Sequence, residues 1–453
     1  MMGPRQVAQG ALFYEFSIDA FVPQDHLLRA MDRFVDLSNI RELLAPFYSE
    51  TGRPSIDPEL IIRMLIVGYT MGIRSERRLC EEVHLNLAYR WFCRLDLIDP
   101  VPDHSTFSKN RHGRFRESNL FRHLFESVLG RCIAEGLVGG ESFGADASLI
   151  KADASRYTKL EFSDWSVPEQ ITRATQEYLD TLDDDAFGAA TDVKPKTLSS
   201  SDPAARFTGA NGDRAFFAYS TNYLVDLTKA VIVDVETTAP IRQAEVGAVR
   251  DMLVRVGERF GLVPDRLAAD TAYGSADMLG WLVKEQEIEP HIPVLDKSER
   301  KDGAFPATAF TFDAESNEYV CPGGKKLKKY WRNMSKPRSG VCKDGFVRYY
   351  ASKTDCSACA LKSRCCPNQP ARKIARHIHE DARDLAREIA KTDAYVTSSY
   401  ARKKVEMLFA HLKKILRLDR LRLRGPNGAR DEFHMAATVQ NLRKLAKLRP
   451  VPI

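Results

Sequence analysis

The apolar residues of this chain keep two different periods, and the change between them falls at Gly139-Gly140. From about Asp25 to Arg131 they recur at helical spacing, as in Leu27, Leu28, Met31, Phe34 and Val35 and again in Leu60, Ile61, Met64 and Leu65, which predicts an all-helical N-terminal domain over residues 1–138. Past the glycines, residues 142–150 and 218–235 carry β-branched and aromatic side chains in short runs, the mark of strands. A helix over 243–260, a strand over 266–269, a helix over 275–284 and a strand over 290–294 follow, and helices over 398–418 and 427–448 close the chain. Strands that first meander and then alternate with helices predict an α/β fold over 139–453, a mixed sheet flanked by helices. Two stretches interrupt it. Residues 155–212 are polar, with Asp183-Asp184-Asp185 and Ser199-Ser200-Ser201-Asp202-Pro203, and read as an insertion or mobile loop. Residues 296–375 form a second insertion, rich in Gly, Pro, Lys and Cys.

Inside the helical domain, Asp57-Pro58 makes a cap and first turn, Gly72 a stop, and Ser75 the cap of a helix through Leu79, Val83 and Leu87. Two helices across a short turn fit a helix-turn-helix that enters DNA, or equally a packing module that touches none, since acidic and basic residues are mixed here.

The formal charge of +6 conceals an asymmetry. Residues 321–453 hold 32 Lys and Arg against 11 Asp and Glu, a balance of +21, which leaves −15 for residues 1–320. A basic C-terminal part on an acidic body points to a polyanionic partner. No apolar run reaches the roughly 18 residues that a spanning helix needs, and the N-terminus has no signal-like apolar core, so a reducing cytoplasm is the expected compartment. Nine cysteines there are not a disulfide framework.

Three carboxylates stand out. Asp146 lies in the strand-like Phe-Gly-Ala-Asp-Ala-Ser-Leu-Ile, where a charge among small and apolar residues is costly unless compensated. Asp270 follows Arg-Leu-Ala-Ala and precedes Thr-Ala-Tyr-Gly, at the carboxyl end of a strand, where α/β sheets place their ligands. Glu406 borders the face of a helix whose buried positions are predicted to be Val405, Leu408, Phe409, Leu412, Ile415 and Leu416. Arg402, Glu406 and Lys413 share one stripe of that helix. Asp153 competes with Asp146 for the first position, and Asp146 is preferred for its better apolar run.

Together these segments resemble the DDE transposases of bacterial insertion sequences. The likeness rests on Ala-Asp146-Ala-Ser-Leu-Ile-Lys-Ala-Asp-Ala-Ser, on Ala-Ala-Asp270-Thr-Ala-Tyr-Gly-Ser and on Arg402-Lys-Lys-Val-Glu406-Met-Leu-Phe-Ala-His-Leu-Lys413. The last matches the family's Tyr-x2-Arg-x3-Glu-x6-Lys except at its tyrosine: position 399 is Ser, and Tyr400 comes one residue late. Pro102-Asp-His-Ser-Thr-Phe, Leu421-Arg-Leu-Arg-Gly425 and Asn441-Leu extend the likeness over about residues 15–448. The resemblance implies an RNase-H-like catalytic domain and phosphoryl transfer on double-stranded DNA, at transposon ends and then target. It implies two Mg²⁺ or Mn²⁺ ions on Asp146, Asp270 and Glu406, with Arg402 and Lys413 on flanking phosphates and a homo-oligomer, a dimer or larger, on DNA. Hard cations want oxygen ligands, and such a pair activates the attacking oxygen and stabilises the leaving one. A nucleoid-associated enzyme is expected. The alternatives are an inactive, transposase-derived DNA-binding or regulatory protein, or a nuclease of the same fold without strand transfer.

Six of the cysteines fall between Cys321 and Cys366. Cys321-Pro-Gly-Gly and Cys356-x2-Cys359-x5-Cys365-Cys366 offer two turns for one tetrahedral zinc ion, on Cys321, Cys356, Cys359 and Cys365, with Cys366, Cys342 or His377 as substitutes. Pro-Gly-Gly permits amides that point at sulfur, and basic surroundings are expected to favour thiolate. In Lys325-Lys326-Leu-Lys328-Lys329-Tyr330-Trp331-Arg332, basic residues run into aromatics, which predicts a DNA contact through Lys325, Lys326, Lys328 and Lys329.

Overall fold

The computed structural model describes residues 16–49, 51, 55–209, 214–295, 303–329 and 340–450. The chain forms two compact units, one of residues 1–263 with 403–453 and the other of residues 264–402, so the helical N-terminal region and the first strands share a unit.

In the first unit the helix α1 (Pro58–Thr70) starts where Asp57 accepts from the Glu59 amide and Pro58 fills the first turn, and it is buried along nearly its whole length. Gly72, at φ +68°, turns the chain into α2 (Glu76–Leu85), capped by Ser75. That helix stops before Leu87, because the Asn86 side chain accepts from the Ala88 and Tyr89 amides and starts a new one. The helix α3 (Leu120–Ala134) completes the core of this region.

The strands β1 (Ser142–Lys151), β2 (Phe216–Asp226) and β3 (Val231–Thr238) form an antiparallel meander with β2 in the middle. Asp226 shapes its corner, accepting from the amides of Gly139, Gly140 and Thr228. Residues 155–209 are folded and not a loose loop: Tyr178 and Phe187 are buried, Lys159–Glu161 pairs with Thr197–Ser199, and Arg206–Thr208 pairs with the start of β2. The helix α4 (Arg242–Phe260) follows β3.

In the second unit, β4 (Arg266–Ala268), α5 (Ala276–Lys284) and β5 (Glu289–His291) form a parallel βαβ unit. An antiparallel meander followed by parallel strands and helices is the RNase-H-like mixed α/β arrangement. Residues 303–329 and 340–377 make small sheets of their own, including β6 (Phe346–Tyr350) paired with β7 (Lys373–His377). Their core joins Phe310, Tyr319, Leu327, Tyr349, Ile374, Cys365 and Cys366. The helix α6 (Glu380–Ile389) packs on α5.

The helix α7 (Asp393–Lys414) begins earlier than its apolar pattern, through a polar first half. The unit boundary falls within it, between Arg402 and Lys403. The helix α8 (Gly425–Leu448) packs in the first unit against α1, α3 and β3. Among the described residues no helix is long and apolar enough to cross a membrane.

Candidate active site

On β1, side chains alternate between two faces, so Gly144, Asp146 and Ser148 share one. The second half of α7 covers it. A Cβ on Gly144 would stand 3.0 Å from Val405 Cγ2 and 2.8 Å from Leu227, so glycine lets the helix approach this closely. Farther along the strand, Lys413 Nζ donates to Ser148 Oγ at 2.8 Å. Burial lowers the Lys413 pKa; Asp419 opposes this and Lys151 adds to it. Asp146 lies between these two contacts, half-buried, with its Oδ1 accepting from the Ala147 amide at 2.8 Å.

Across the meander Asp146 is in register with Tyr223, whose ring stacks on Phe409 of α7 at 4.7 Å. The Tyr223 hydroxyl donates to Gln440 Oε1, and Gln440 Nε2 donates in turn to the Leu408 carbonyl. Strand, signature helix and last helix are thus joined by one stack and a short chain of hydrogen bonds. Val405, Leu408, Phe409, Leu412 and Leu416 are buried as predicted, whereas Ile415, one residue past the helix, is 49% exposed. Glu406 lies on the exposed side next to Val405, and Arg402 one turn before it is half-buried. Tyr400 is exposed.

Asp153 lies two residues beyond the end of β1 and pairs with Arg420 and Arg424 at 3.2 and 2.9 Å, a structural position outside the strand.

In the second unit Asp270 stands just past β4, its Oδ1 accepting from the Ala272 amide at 2.7 Å to cap the turn Thr271–Tyr273. The residues after it are scaffold. Tyr273 is buried, a Cβ on Gly274 would run into the Pro293 carbonyl, and Ser275 caps α5. The motif around Asp270 therefore holds one carboxylate by several packing constraints. The structure places Asp146 and Glu406 in one unit and Asp270 in the other.

The cysteines gather within the second unit. Cys321, Cys356, Cys359, Cys365 and Cys366 line one cleft of about 20 Å³, room for a single water-sized body. The Lys325 amide donates to Cys321 Sγ at 3.3 Å, as the Pro-Gly-Gly turn predicts, and a Cβ on Gly323 would stand 3.6 Å from both Cys321 Sγ and Cys359 Sγ. Burial pushes the Cys365 thiol up to about 11, Cys366 adds to that and Arg372 opposes it, and burial raises Cys356 as well. Cys342 lies in the turn before β6, and His377 faces Asp277 and the Phe346 ring, so neither lines the cleft. Among the described residues, no three His, Cys, Asp or Glu side chains stand at the mutual spacing that holds a metal ion.

Of the basic run, Lys326 and Lys328 both pair with Glu318, at 3.1 and 3.4 Å; Tyr330, Trp331 and Arg332 lie outside the described residues. Asn441 enters the sequence reading only through the likeness, and its role comes from the structure: its amide oxygen accepts from the Ile232 amide at 3.0 Å while its nitrogen donates to the Ile232 carbonyl at 2.8 Å. It serves β3 as a neighbouring strand would.

A family model described as Transposase domain (DUF772) matches residues 16–113, and one described as Transposase DDE domain matches residues 320–446, which include Glu406 and Lys413. The chain belongs to the DDE-type transposases of insertion sequences. No curated protein and no solved structure matches it. In this transposase the matched stretches hold the signature helix and the cysteine cleft, and Asp146 and Asp270 lie outside both.

Proposed function

We propose that this transposase binds the terminal inverted repeats of its insertion sequence and catalyses metal-dependent DNA cleavage and strand transfer, with Asp146, Asp270 and Glu406 as the acidic residues. The observation that carries the reading is the Lys413–Ser148 hydrogen bond with the Gly144–Val405 contact, which supports α7 lying over the face of β1 that bears Asp146. Carboxylates are the oxygen donors that Mg²⁺ or Mn²⁺ prefers, and the residue types of Asp146, Asp270 and Glu406 support the reading on that ground. Bound there, such ions would activate the attacking oxygen and neutralise charge on the leaving one. Lys413, held by Ser148, offers a fixed cation to a flanking phosphate, and Arg402 a second one turn before Glu406. Neither side chain supplies covalent chemistry; their work is positioning.

The test is incubation of the full chain with Mg²⁺ and a duplex carrying the element's end, scored for cleavage and for joining to a second duplex. Wild type is expected to do both, and Asp270→Ala and Glu406→Gln to lose at least 10²-fold while still binding. Binding without either reaction supports the inactive DNA-binding reading; cleavage without joining supports the nuclease. Sedimentation of the DNA complex reports the expected dimer or larger assembly.

The cysteine cleft gathers five thiols and an amide aimed at Cys321 around one small space, and sulfur donors are those that a structural zinc ion prefers. Cys321, Cys356, Cys359 and Cys365 are the proposed ligands, with Cys366 the substitute in reach. Elemental analysis of the purified chain should find about one zinc per chain; a sample that is folded and zinc-free overturns this.

A further inference from the structure

Between α7 and α8 the chain reads Arg417-Leu-Asp-Arg-Leu-Arg-Leu-Arg424, and its residues divide cleanly by burial. Leu418, Leu421 and Leu423 are at most 1% exposed, while Arg417, Arg420, Arg422 and Arg424 are exposed. The leucines anchor the segment in the core, and its backbone is held from three sides. Lys151, the last residue of β1, donates its amide to the Asp419 carbonyl at 3.2 Å and accepts from the Leu421 amide at 2.8 Å. Glu432 Oε1 accepts from the Arg422 and Leu423 amides, both at 2.6 Å. Asp202 accepts from the Gly425 amide at 3.2 Å. A segment so anchored presents its arginines at fixed positions and loses little entropy when they bind.

Three clefts of the first unit open along it. One of about 450 Å³ lies between Arg74 and Arg78 on one side and Arg417 and Arg422 on the other. A second, of about 650 Å³, is lined by Arg116, Arg173, Arg422 and Arg424. The third, of about 700 Å³, holds Lys151, Arg156, Arg214 and Arg420 with the rings of Tyr157 and Phe216. Arg422 lines both of the first two.

The cations exceed their counter-charges. Arg420 and Arg424 share the single carboxylate of Asp153. Among the described residues no carboxylate pairs with Lys151, Arg156, Arg214, Arg417 or Arg422. In the third cleft Arg156 stacks over Tyr157 at 4.7 Å and Lys151 stands 5.3 Å from the Phe216 ring, and Tyr157 is 81% exposed. Surplus cations mixed with open aromatic rings suit a chain of phosphates carrying sugars and bases more than an isolated anion.

We infer that Arg417–Arg424 is a phosphodiester track that leads DNA backbone across the first unit from the α1–α2 turn to the end of β1, with Arg156, Arg214, Tyr157 and Phe216 receiving the far end. This rests on the reading of DNA as substrate and adds the path by which the first unit holds it. Catalysis by the carboxylates and binding by the track are separable, because none of the track's cations is among the proposed acidic residues.

The test is fluorescence anisotropy of a labelled 40-base-pair duplex with the full chain, without divalent metal, from 50 to 250 mM salt. The variant Arg156→Gln/Arg214→Gln/Arg417→Gln/Arg422→Gln is expected to lower the slope of log affinity against log salt by about 3 to 4 and to weaken binding at 100 mM salt at least tenfold. The matching fourfold Arg→Lys variant should keep the wild-type slope. Arg422→Gln alone should lower it by about 1, which serves if the fourfold variant does not fold. An unchanged slope in the Gln variants, or an equal loss in the Lys variant, overturns the track and leaves the transposase reading in place. Failure of the wild type to bind DNA at all overturns that reading itself.

Discussion

Asp202 is fully buried, with its two oxygens accepting from the Tyr219 hydroxyl and the Gly425 amide. Burial pushes its carboxyl up to about 6; the Tyr219 and Gly425 hydrogen bonds oppose this. Because the folded-state pKa lies above the ordinary value of 3.8, the folded chain holds the proton more tightly than the unfolded one. The stabilisation that follows is complete below about pH 3.8 and is lost as pH rises through 6. Between pH 5 and pH 7 the wild type should therefore lose about 1 kcal/mol more than Asp202→Asn does. Urea unfolding of both proteins at the two pH values measures this, and parallel changes would show that Asp202 does not titrate there. Sequence marked Asp202 only as part of a polar run. A buried role for such a residue depends on Tyr219 and Gly425, partners 17 and 223 residues away, which no local pattern discloses.

At the scale of elements, Glu432 of α8 has most to hold. Its side chain is wholly buried, it ion-pairs with Arg74 beyond α1, and its Oε1 fixes the two amides of the arginine segment. Removing it leaves a buried guanidinium and two amides without their acceptor, so Glu432→Ala should cost about 3–5 kcal/mol, read from the urea midpoint. The elements themselves were largely legible: Asp57-Pro58 and Ser75 do cap their helices, and residues 243–260 and 427–448 form helices within two residues of the predicted ends. What stayed hidden has physical causes. The pairs Lys159–Glu161 with Thr197–Ser199 and Arg206–Thr208 with β2 are three residues long, below what alternation can signal, and the first also joins distant segments. The start of α7 is polar, so its apolar stripe began too late to mark Asp393. Of the site, Asp146 in mid-strand and the Arg402, Glu406 and Lys413 stripe could be read from spacing, whereas the arginine track could not, because alternation of Leu and Arg looks like an ordinary half-buried strand.

Over the whole molecule the charge is divided as +21 in residues 321–453 against −15 before them, and the structure shows where part of that surplus is already spent. Glu318 sits between Lys326 and Lys328, so the lysine run offers less charge to DNA than its four residues suggest. Neutralising Lys325, Lys326, Lys328 and Lys329 should flatten the salt dependence of DNA affinity by fewer than four contacts, measured by the same anisotropy titration. No change at all would take this run off the DNA.

The first unit is built from two separated pieces of chain, 1–263 and 403–453, and its core needs both: α8 packs on α1, α3 and β3, and Asn441 closes the edge of β3. Synthesis runs from the N-terminus, so the meander emerges from the ribosome with the Ile232 edge open and waits while all of residues 264–402 are made. The second unit, continuous in sequence, has its whole complement of residues first. Maturation of the first unit is therefore set by the arrival of its last helix. During that interval the exposed edge of β3 is where a nascent chain of this transposase is open to pairing with another.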